Sequence, residues 1–326
     1  MITAQNLTLA FDRRGIAGLH QVSFHLAAGQ VTAILGPNGS GKTTLLKILA
    51  GALTPDAGSV HVEGRLALFA PGEPRDEGKN VQALLVEAVT LAVDAEKKLQ
   101  LARDLADTFE FTLQLRQKLG ELSAGQRQKV LLAALLINRP EVLLMDEPFA
   151  HLDPFTRTEI LAGLFVYIRR QGISVAWVTH DLAEAFRFSD EVALLNFGRF
   201  EAVGAPLALV TAPRNLFVAQ FVGYRNFFPV KFTDGTWSSP WGPLPYAPTG
   251  KDDALLVVPD HAWRAVSDGL PMTVVETEAG LQLLHHVLDF QQQRVHLLRS
   301  TRLPPWHPGT KIHLSPKIEE SFLIPL

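Results

Sequence analysis

Apolar and polar positions alternate in a changing rhythm along the chain, and the rhythm predicts its elements. Residues 2 to 35 read as three short strands, Ile2–Phe11, Leu19–Leu26 and Val31–Leu35. The last is short, apolar and β-prone, which is the pattern of a buried parallel strand. Thr44 to Ala50 reads as a helix through Leu45, Leu46 and Leu49. Ser59–Glu63 and Leu66–Ala70 read as a hairpin around Gly64. From Val81 to Leu119 the period turns helical. Leu84, Leu85, Ala88, Leu91 and Ala92 form one stripe, and Leu101, Leu105, Phe109 and Leu113 a second. A helix over 127–138 follows, then the apolar strands Val142–Met145 and Ile173–Val178, a hairpin over Val192–Val203, and helices near Leu207–Thr211 and Asn215–Val222. Beyond about Gly223 the pattern becomes short strands with many prolines and four of the five tryptophans. That stretch predicts a small β-rich domain, a barrel.

Chemistry enters where strands stop. Gly36-Pro37-Asn38-Gly39-Ser40-Gly41-Lys42-Thr43 lies between the Val31–Leu35 strand and the helix that starts at Thr44. It fits the phosphate-binding pattern G-x-x-x-x-G-K-[ST]. Gly39 and Gly41 let the backbone approach an anion, and the helix N-terminus supplies unpaired amides. Lys42 is placed for the β- and γ-phosphates, and Thr43 for Mg²⁺. The strand Val142–Met145 ends in Asp146-Glu147. Two carboxylates at the carboxyl end of a buried parallel strand are costly without partners and face the ligand side of an α/β sheet. With the loop upstream, Asp146 suits Mg²⁺ and Glu147 suits a base for an attacking water. The next strand ends in Thr179-His180-Asp181, within reach of a γ-phosphate. Ser123 and Gln126 have capping-box spacing ahead of the 127–138 helix. Phe11 reads equally as a purine-stacking ring or a core residue. His285 and His286 are adjacent on a strand pattern, so their side chains point to opposite faces, which argues against a shared metal.

The totals narrow the classes. A chain of 326 residues with 47% hydrophobic content has room for about two domains with full cores. Its net charge of −3 argues against general nucleic-acid binding. It has no cysteine, hence no disulfide and no thiolate metal site. Met1–Ala4 leads directly into strand-like sequence, so no signal peptide is expected. The longest apolar run, Val130–Ile137, is far short of the roughly 20 residues that span a bilayer.

Gly36–Thr43, Leu122-Ser123-Ala124-Gly125-Gln126, Val142–Glu147, Leu152-Asp153 and His180 occur in the order and spacing of an ABC-transporter ATPase subunit, and residues 1 to 222 resemble that family. Residues 223 to 326 are similar, more loosely, to the TOBE-type domain of importer ATPases, through Val257-Val258-Pro259-Asp260 and the strand pattern ending at Phe322. The resemblance implies an α/β P-loop NTPase domain of ABC type with a helical subdomain at about 79–138, plus a C-terminal β-barrel-like (TOBE/OB-like) domain. It implies ATP and Mg²⁺ as ligands. Phe11 resembles the adenine-stacking aromatic, and Gly36–Thr44 the Walker A loop, including Thr44. Asp146 resembles the Walker B aspartate, Glu147 the general base and His180 the switch histidine. Ser123, Gly125 and Gln126 resemble the signature motif that binds ATP held by the opposite subunit, and Asp153 the D-loop aspartate. A homodimer sandwiching ATP is implied, with membrane permease subunits and a substrate-binding protein as partners. The implied location is peripheral, on the cytoplasmic side of the inner membrane.

There are departures from the family pattern. The family's glutamine near Phe69-Ala70-Pro71 is missing; by pattern its place is Gly72, followed by Glu73, and Gln82 falls instead at a helix start. Ala124 replaces a glycine and His151 a small or polar residue. The missing glutamine keeps open a regulatory module that holds ATP with little turnover. A soluble, non-transport ABC ATPase is the other alternative. The C-terminal β domain weighs against an exporter.

Overall fold

The computed structural model describes residues 1–10, 17–70, 77–247, 249 and 252–326. Its chain divides into two compact units, Met1–Leu207 and Ala208–Leu326.

In the first unit the chain begins with β1 (Ile2–Ala10), β2 (Ala17–Leu26) and β3 (Val31–Leu35), then α1 (Lys42–Leu49), β4 (Ala57–Val62) and β5 (Leu66–Phe69). Helices α2 (Val81–Ala88), α3 (Ala95–Thr108) and α4 (Ala124–Leu136) follow. The remainder alternates: β6 (Val142–Asp146), α5 (Pro154–Gln171), β7 (Ser174–Val178), α6 (Leu182–Phe188), β8 (Glu191–Asn196) and β9 (Arg199–Gly204). The strands build a six-stranded sheet in the order β5-β6-β7-β3-β8-β9, parallel except for β9. A three-stranded antiparallel sheet, β2-β1-β4, stands apart.

β3, β6 and β7 are buried at every residue, which is why each reads as a mainly apolar run. α1 lies in the core that joins the two sheets. Its Leu45, Leu46, Ile48 and Leu49 pack with Ile2, Leu26, Val142 and Val178. Each such side chain contributes about 2 kcal/mol by leaving water. The loop before α1 is therefore anchored by its helix to both sheets.

Two sequence expectations are corrected. β4 and β5 are not a hairpin. β4 pairs antiparallel with β1, with Ile2 opposite Val62, while β5 pairs parallel with β6, with Leu66 opposite Val142. Gly64 is where the chain leaves one sheet for the other, in a left-handed conformation with φ 92°. The Glu63 amide donates to Met1 O and the Glu141 amide to Arg65 O, so neighbouring residues bond in opposite directions. The second apolar stripe also fails at its end. α3 stops at Thr108, and the following 3₁₀ turn (Thr112–Arg116) changes the period. Leu115 is thereby buried, and Leu113 is 88% exposed.

Helix α7 (Pro206–Thr211) spans the junction of the two units. The second unit contains α8 (Leu216–Phe221) and the strands β10 (Asn226–Thr233), β11 (Thr236–Ser239), β12 (Gly242–Leu244), β13 (Asp253–Val258), β14 (Trp263–Ala279), β15 (Leu283–Phe290), β16 (Gln293–Ser300), β17 (Lys311–Pro316) and β18 (Phe322–Pro325). They form two sheets, β12-β11-β10-β13-β18 and β16-β15-β14-β17. One core serves both, with Phe228, Trp237, Leu256, Trp263, Met272, Leu288 and Leu314. The strands β11, β12 and β18 were not expected from the sequence. Asn226 ties the sheets together. Its buried side chain donates to Val258 O at 3.0 Å and His296 O at 2.8 Å, and accepts from the His296 amide at 2.7 Å. His286 is buried with Nδ1 2.8 Å from Thr277 Oγ1, while His285 points the other way and meets the His296 ring. Among the described residues, no helix is long and apolar enough to cross a membrane.

Candidate functional site

The first unit collects its polar chemistry at the carboxyl ends of three neighbouring strands, β6, β7 and β3. This is the edge where open α/β sheets bind ligands, and here the crossovers diverge from β3 to both sides.

Gly36 to Gly41 connects β3 to α1 and bends too sharply for ordinary residues. Gly36 has φ 152°, and a Cβ there would stand 1.9 Å from Leu195 O. At Gly41, with φ 105°, a Cβ would stand 2.4 Å from Gly18 O. Pro37, Asn38 and Gly39 are exposed, whereas Ser40 is buried. The Lys42 ammonium folds back over the loop and donates to Gly36 O and Pro37 O, both at 2.9 Å. No side chain caps the N-terminus of α1 at Gly41. The amides of the first helical turn are consequently open to an external acceptor. Thr43 is exposed at that turn and Thr44 is buried beside it.

Asp146 closes β6 in an almost fully buried position. Burial pushes its carboxyl above the usual carboxylate range; the Thr43 hydroxyl works against the rise, Glu147 adds to it, and Lys47 and Lys42 oppose it. Burial likewise lowers the Lys42 ammonium, against the attraction of Glu147 and Asp146. An ammonium, a hydroxyl and two carboxylates thus sense one another at the loop. Ser40 Oγ and Asp146 Oδ1 are buried without a hydrogen-bond partner. Such atoms are expensive to leave unpaired. Their presence, with the uncapped helix start and the cradle that only glycine can form, fits a phosphate group with a divalent cation. Thr43 and Asp146 are the side chains that fit the cation.

Glu147 follows in a left-handed conformation, φ 45°, with its amide donating to Val178 O at 3.2 Å. That turn aims its carboxylate at the end of β7, where Glu147 Oε1 lies 2.5 Å from His180 Nε2. The structure therefore brings together Lys42, Thr43, Asp146, Glu147 and His180.

Ser123 caps α4 as its spacing predicts. Its hydroxyl accepts from the Gln126 amide at 3.3 Å, and Gln126 Oε1 accepts from the Ser123 amide at 3.0 Å. Gly125 packs on the first turn of α5, where a Cβ would meet Thr156 Cγ2 at 2.6 Å. Asp153 caps α5 by accepting from the Thr156 amide at 3.0 Å, and the Thr156 hydroxyl, with that amide, holds its carboxyl below the usual range. Phe11, Gly72 and Glu73 lie outside the described residues.

Sequence reasoning missed a second polar layer. Arg157, Thr179, Asp181 and Glu184 interact behind His180. Gln128 on α4 donates to Pro148 O, next to Glu147. The available signal was the pair Asp181 and Glu184 at cap spacing, which reads only as a helix start.

Comparison with known proteins gives a consistent result. A family model described as "ABC transporter" matches residues 19–150. The spermidine/putrescine import ATP-binding protein PotA of Methylococcus capsulatus is 39% identical over 220 residues, covering 64% of this chain and 57% of that protein's length. The Fe(3+) ions import ATP-binding protein FbpC of Streptomyces coelicolor is 30% identical over 322 residues, 94% of this chain and 92% of that protein. Among solved structures, a dimeric bacterial ABC transporter cassette is similar at 25% identity with a TM-score of 0.56, covering 63% of this chain and 99% of its own.

Proposed function

Because this chain belongs to the ABC transporter ATP-binding proteins, we propose that it binds and hydrolyses ATP to power an importer. The observation that carries the reading is the convergence of Asp146, Glu147 and His180 on the Gly36–Thr43 loop, at the ends of β6, β7 and β3.

In this reading the loop amides and Lys42 hold the β- and γ-phosphates, and Phe11 stacks on adenine. Thr43 and Asp146 hold Mg²⁺, which when bound neutralises charge developing on the phosphate oxygens. Glu147 takes a proton from the attacking water, and His180 orients Glu147 and contacts the γ-phosphate. Ser123, Gly125 and Gln126 serve ATP on a second copy of the chain, with Asp153 at the boundary between copies. Amides at the start of α4 suit that task, since Ala124 and Gly125 have no intrahelical acceptor. Catalysis by such a site is mainly positioning and charge stabilisation.

The partners in this reading are a second copy, membrane permease subunits and a substrate-binding protein. The chain sits peripherally on the cytoplasmic face of the inner membrane. Residues 1–222 form the ATPase domain, with the helical subdomain at about 79–138, and residues 223–326 the TOBE-like domain. The relatives' names support import, and they differ in cargo: spermidine and putrescine for one, Fe(3+) for another. Cargo choice therefore belongs to the permease and its binding protein.

The test is ATP turnover together with mass in solution. The wild type is expected to hydrolyse ATP, and Glu147→Gln to lose turnover by about a thousandfold while forming an ATP-dependent dimer. Tight ATP binding with no turnover in the wild type would favour the regulatory alternative. Co-purification from solubilised membranes should recover a multi-span permease; recovery of cytosolic partners alone would refute the transport role.

A further inference from the structure

Glu147 and His180 line a cavity of about 170 Å³ together with Arg157, Thr179, Asp181 and Glu184. None of these four carries a role in the reading above. Arg157 stands in the first turn of α5, where its amide donates to the carbonyl of the cap residue Asp153 at 2.9 Å. Its guanidinium crosses to the start of α6. Arg157 Nε is 2.6 Å from Glu184 Oε1, and Arg157 Nη2 donates to Asp181 Oδ2 at 3.3 Å. The Nε contact is ionic without the direction of a hydrogen bond.

The two carboxylates are then committed on both sides of His180. Glu184 Oε2 accepts from the Thr179 hydroxyl at 3.2 Å, and Thr179 Oγ1 in turn accepts from the Asp181 amide at 3.1 Å. Asp181 Oδ1 accepts from the Glu184 amide at 3.0 Å. Thr179 and Asp181, the neighbours of His180 in the chain, are therefore both fixed by groups that converge on one guanidinium. Glu184 retains only 12% of its side-chain exposure and Arg157 25%. Burial pushes the Glu184 carboxyl up, Arg157 draws it down, and Asp181 pushes it up again. Without the cation, two half-buried acids would stand side by side behind a third, Glu147. Repulsion of that kind is relieved by moving the 179–184 segment, and His180 moves with it.

We propose that Arg157 is a positioning residue that fixes His180 against Glu147 and ties that pair to the Asp153 cap of α5. The inference rests on the proposed ATPase reading for its catalytic consequence, but the positioning itself does not depend on turnover. A displacement of α5 at its cap would be transmitted through a single side chain to the Glu147–His180 contact.

The test uses the full chain and two readouts. The first is the downfield imidazole N–H proton of His180 in the NMR spectrum, assigned by its loss in His180→Gln. It is expected to persist in Arg157→Lys and to vanish or broaden in Arg157→Met. The second is a cycle of kcat with His180→Ala. Arg157→Met should lower kcat by about tenfold with the KM for ATP within about twofold, and by less than about twofold when His180 is already alanine. Equal losses in both backgrounds, or an unchanged His180 resonance in Arg157→Met, would overturn the proposal. If the wild type has no turnover, the ATPase reading fails, and the resonance alone decides whether Arg157 positions His180. Should Arg157→Met not fold, Arg157→Gln replaces it, since it removes the charge that pairs with Asp181 and Glu184 and keeps a polar side chain, and the same outcomes decide.

Discussion

Replacing Ser123 separates the two tasks given to the start of α4. As a cap, its hydroxyl satisfies the Gln126 amide at 3.3 Å. Alanine forfeits that acceptor at a cost of about 1 kcal/mol. For a unit the size of Met1–Leu207, unfolding entropy of about 2.1 cal/mol/K per residue converts this into a fall in Tm of about 2 °C. Aspartate behaves differently. Its carboxylate caps about as well as serine and suits the positive end of the helix dipole, so Ser123→Asp should melt no lower than the wild type. Ser123 is exposed, so the substitution meets no packing obstacle. Against a phosphate, however, the same carboxylate is repelled. At about 4 Å and an effective dielectric of about 20 the repulsion is about 4 kcal/mol, which is a loss of about a thousandfold. The assays are calorimetry and steady-state ATP turnover on Ser123→Ala and Ser123→Asp together. Turnover of Ser123→Asp within about twofold of wild type, in a protein with unchanged Tm, would refute the assignment of this helix start to a phosphate.

Two further outcomes follow from the same physical chemistry. Burial raises the Asp146 pKa, so its contribution to stability is complete below the ordinary value of 3.8 and is lost as pH rises through the folded-state value; Asp146→Asn should therefore melt above the wild type at pH 7 without nucleotide, with the gain shrinking toward pH 3.8, and should lose the extra stabilisation by Mg²⁺ and ATP. A wild type that melts higher than Asp146→Asn at pH 7 without ligand would contradict this. In the second unit, Asn226→Ala removes the buried side-chain bonds to Val258 O, His296 O and the His296 amide, and should cost about 3 kcal/mol, measured by urea unfolding of the full chain.

The parts of this molecule that were legible in the sequence are those whose chemistry is local. The Gly36–Thr43 loop, the Ser123 and Gln126 cap and the Asp146-Glu147 strand end each need a fixed spacing, and the structure places them on the elements the spacing predicts. Strand pairing is not local. Nothing in Ser59–Glu63 or Leu66–Ala70 says that their partners are β1 and β6 rather than each other. A glycine between two strand-like runs suits a sheet-to-sheet crossover as well as a tight turn, and only the pairing of β4 with β1 and of β5 with β6 distinguishes them. Leu113 failed for a related reason, because a 3₁₀ turn shifts the apolar period without a mark in composition. The strands β11, β12 and β18 are short and lie among prolines and polar residues, where a period of two cannot establish itself. The Arg157 layer was illegible because Arg157 lies 24 residues before Asp181, on a different helix, and each charge alone resembles an ordinary helix-end charge.

Glu147 holds its place with φ at 45°, a conformation that glycine adopts freely and a glutamate pays for by roughly 1 kcal/mol. Among random variants of this chain sorted only for how well they fold, Glu147→Gly should thus be tolerated or enriched, while sorting for ATP turnover should remove it. The position would drift away from its carboxylate under any regime that rewards stability alone. A survey of variants scored both ways would then reveal this residue as one the fold has no reason to keep.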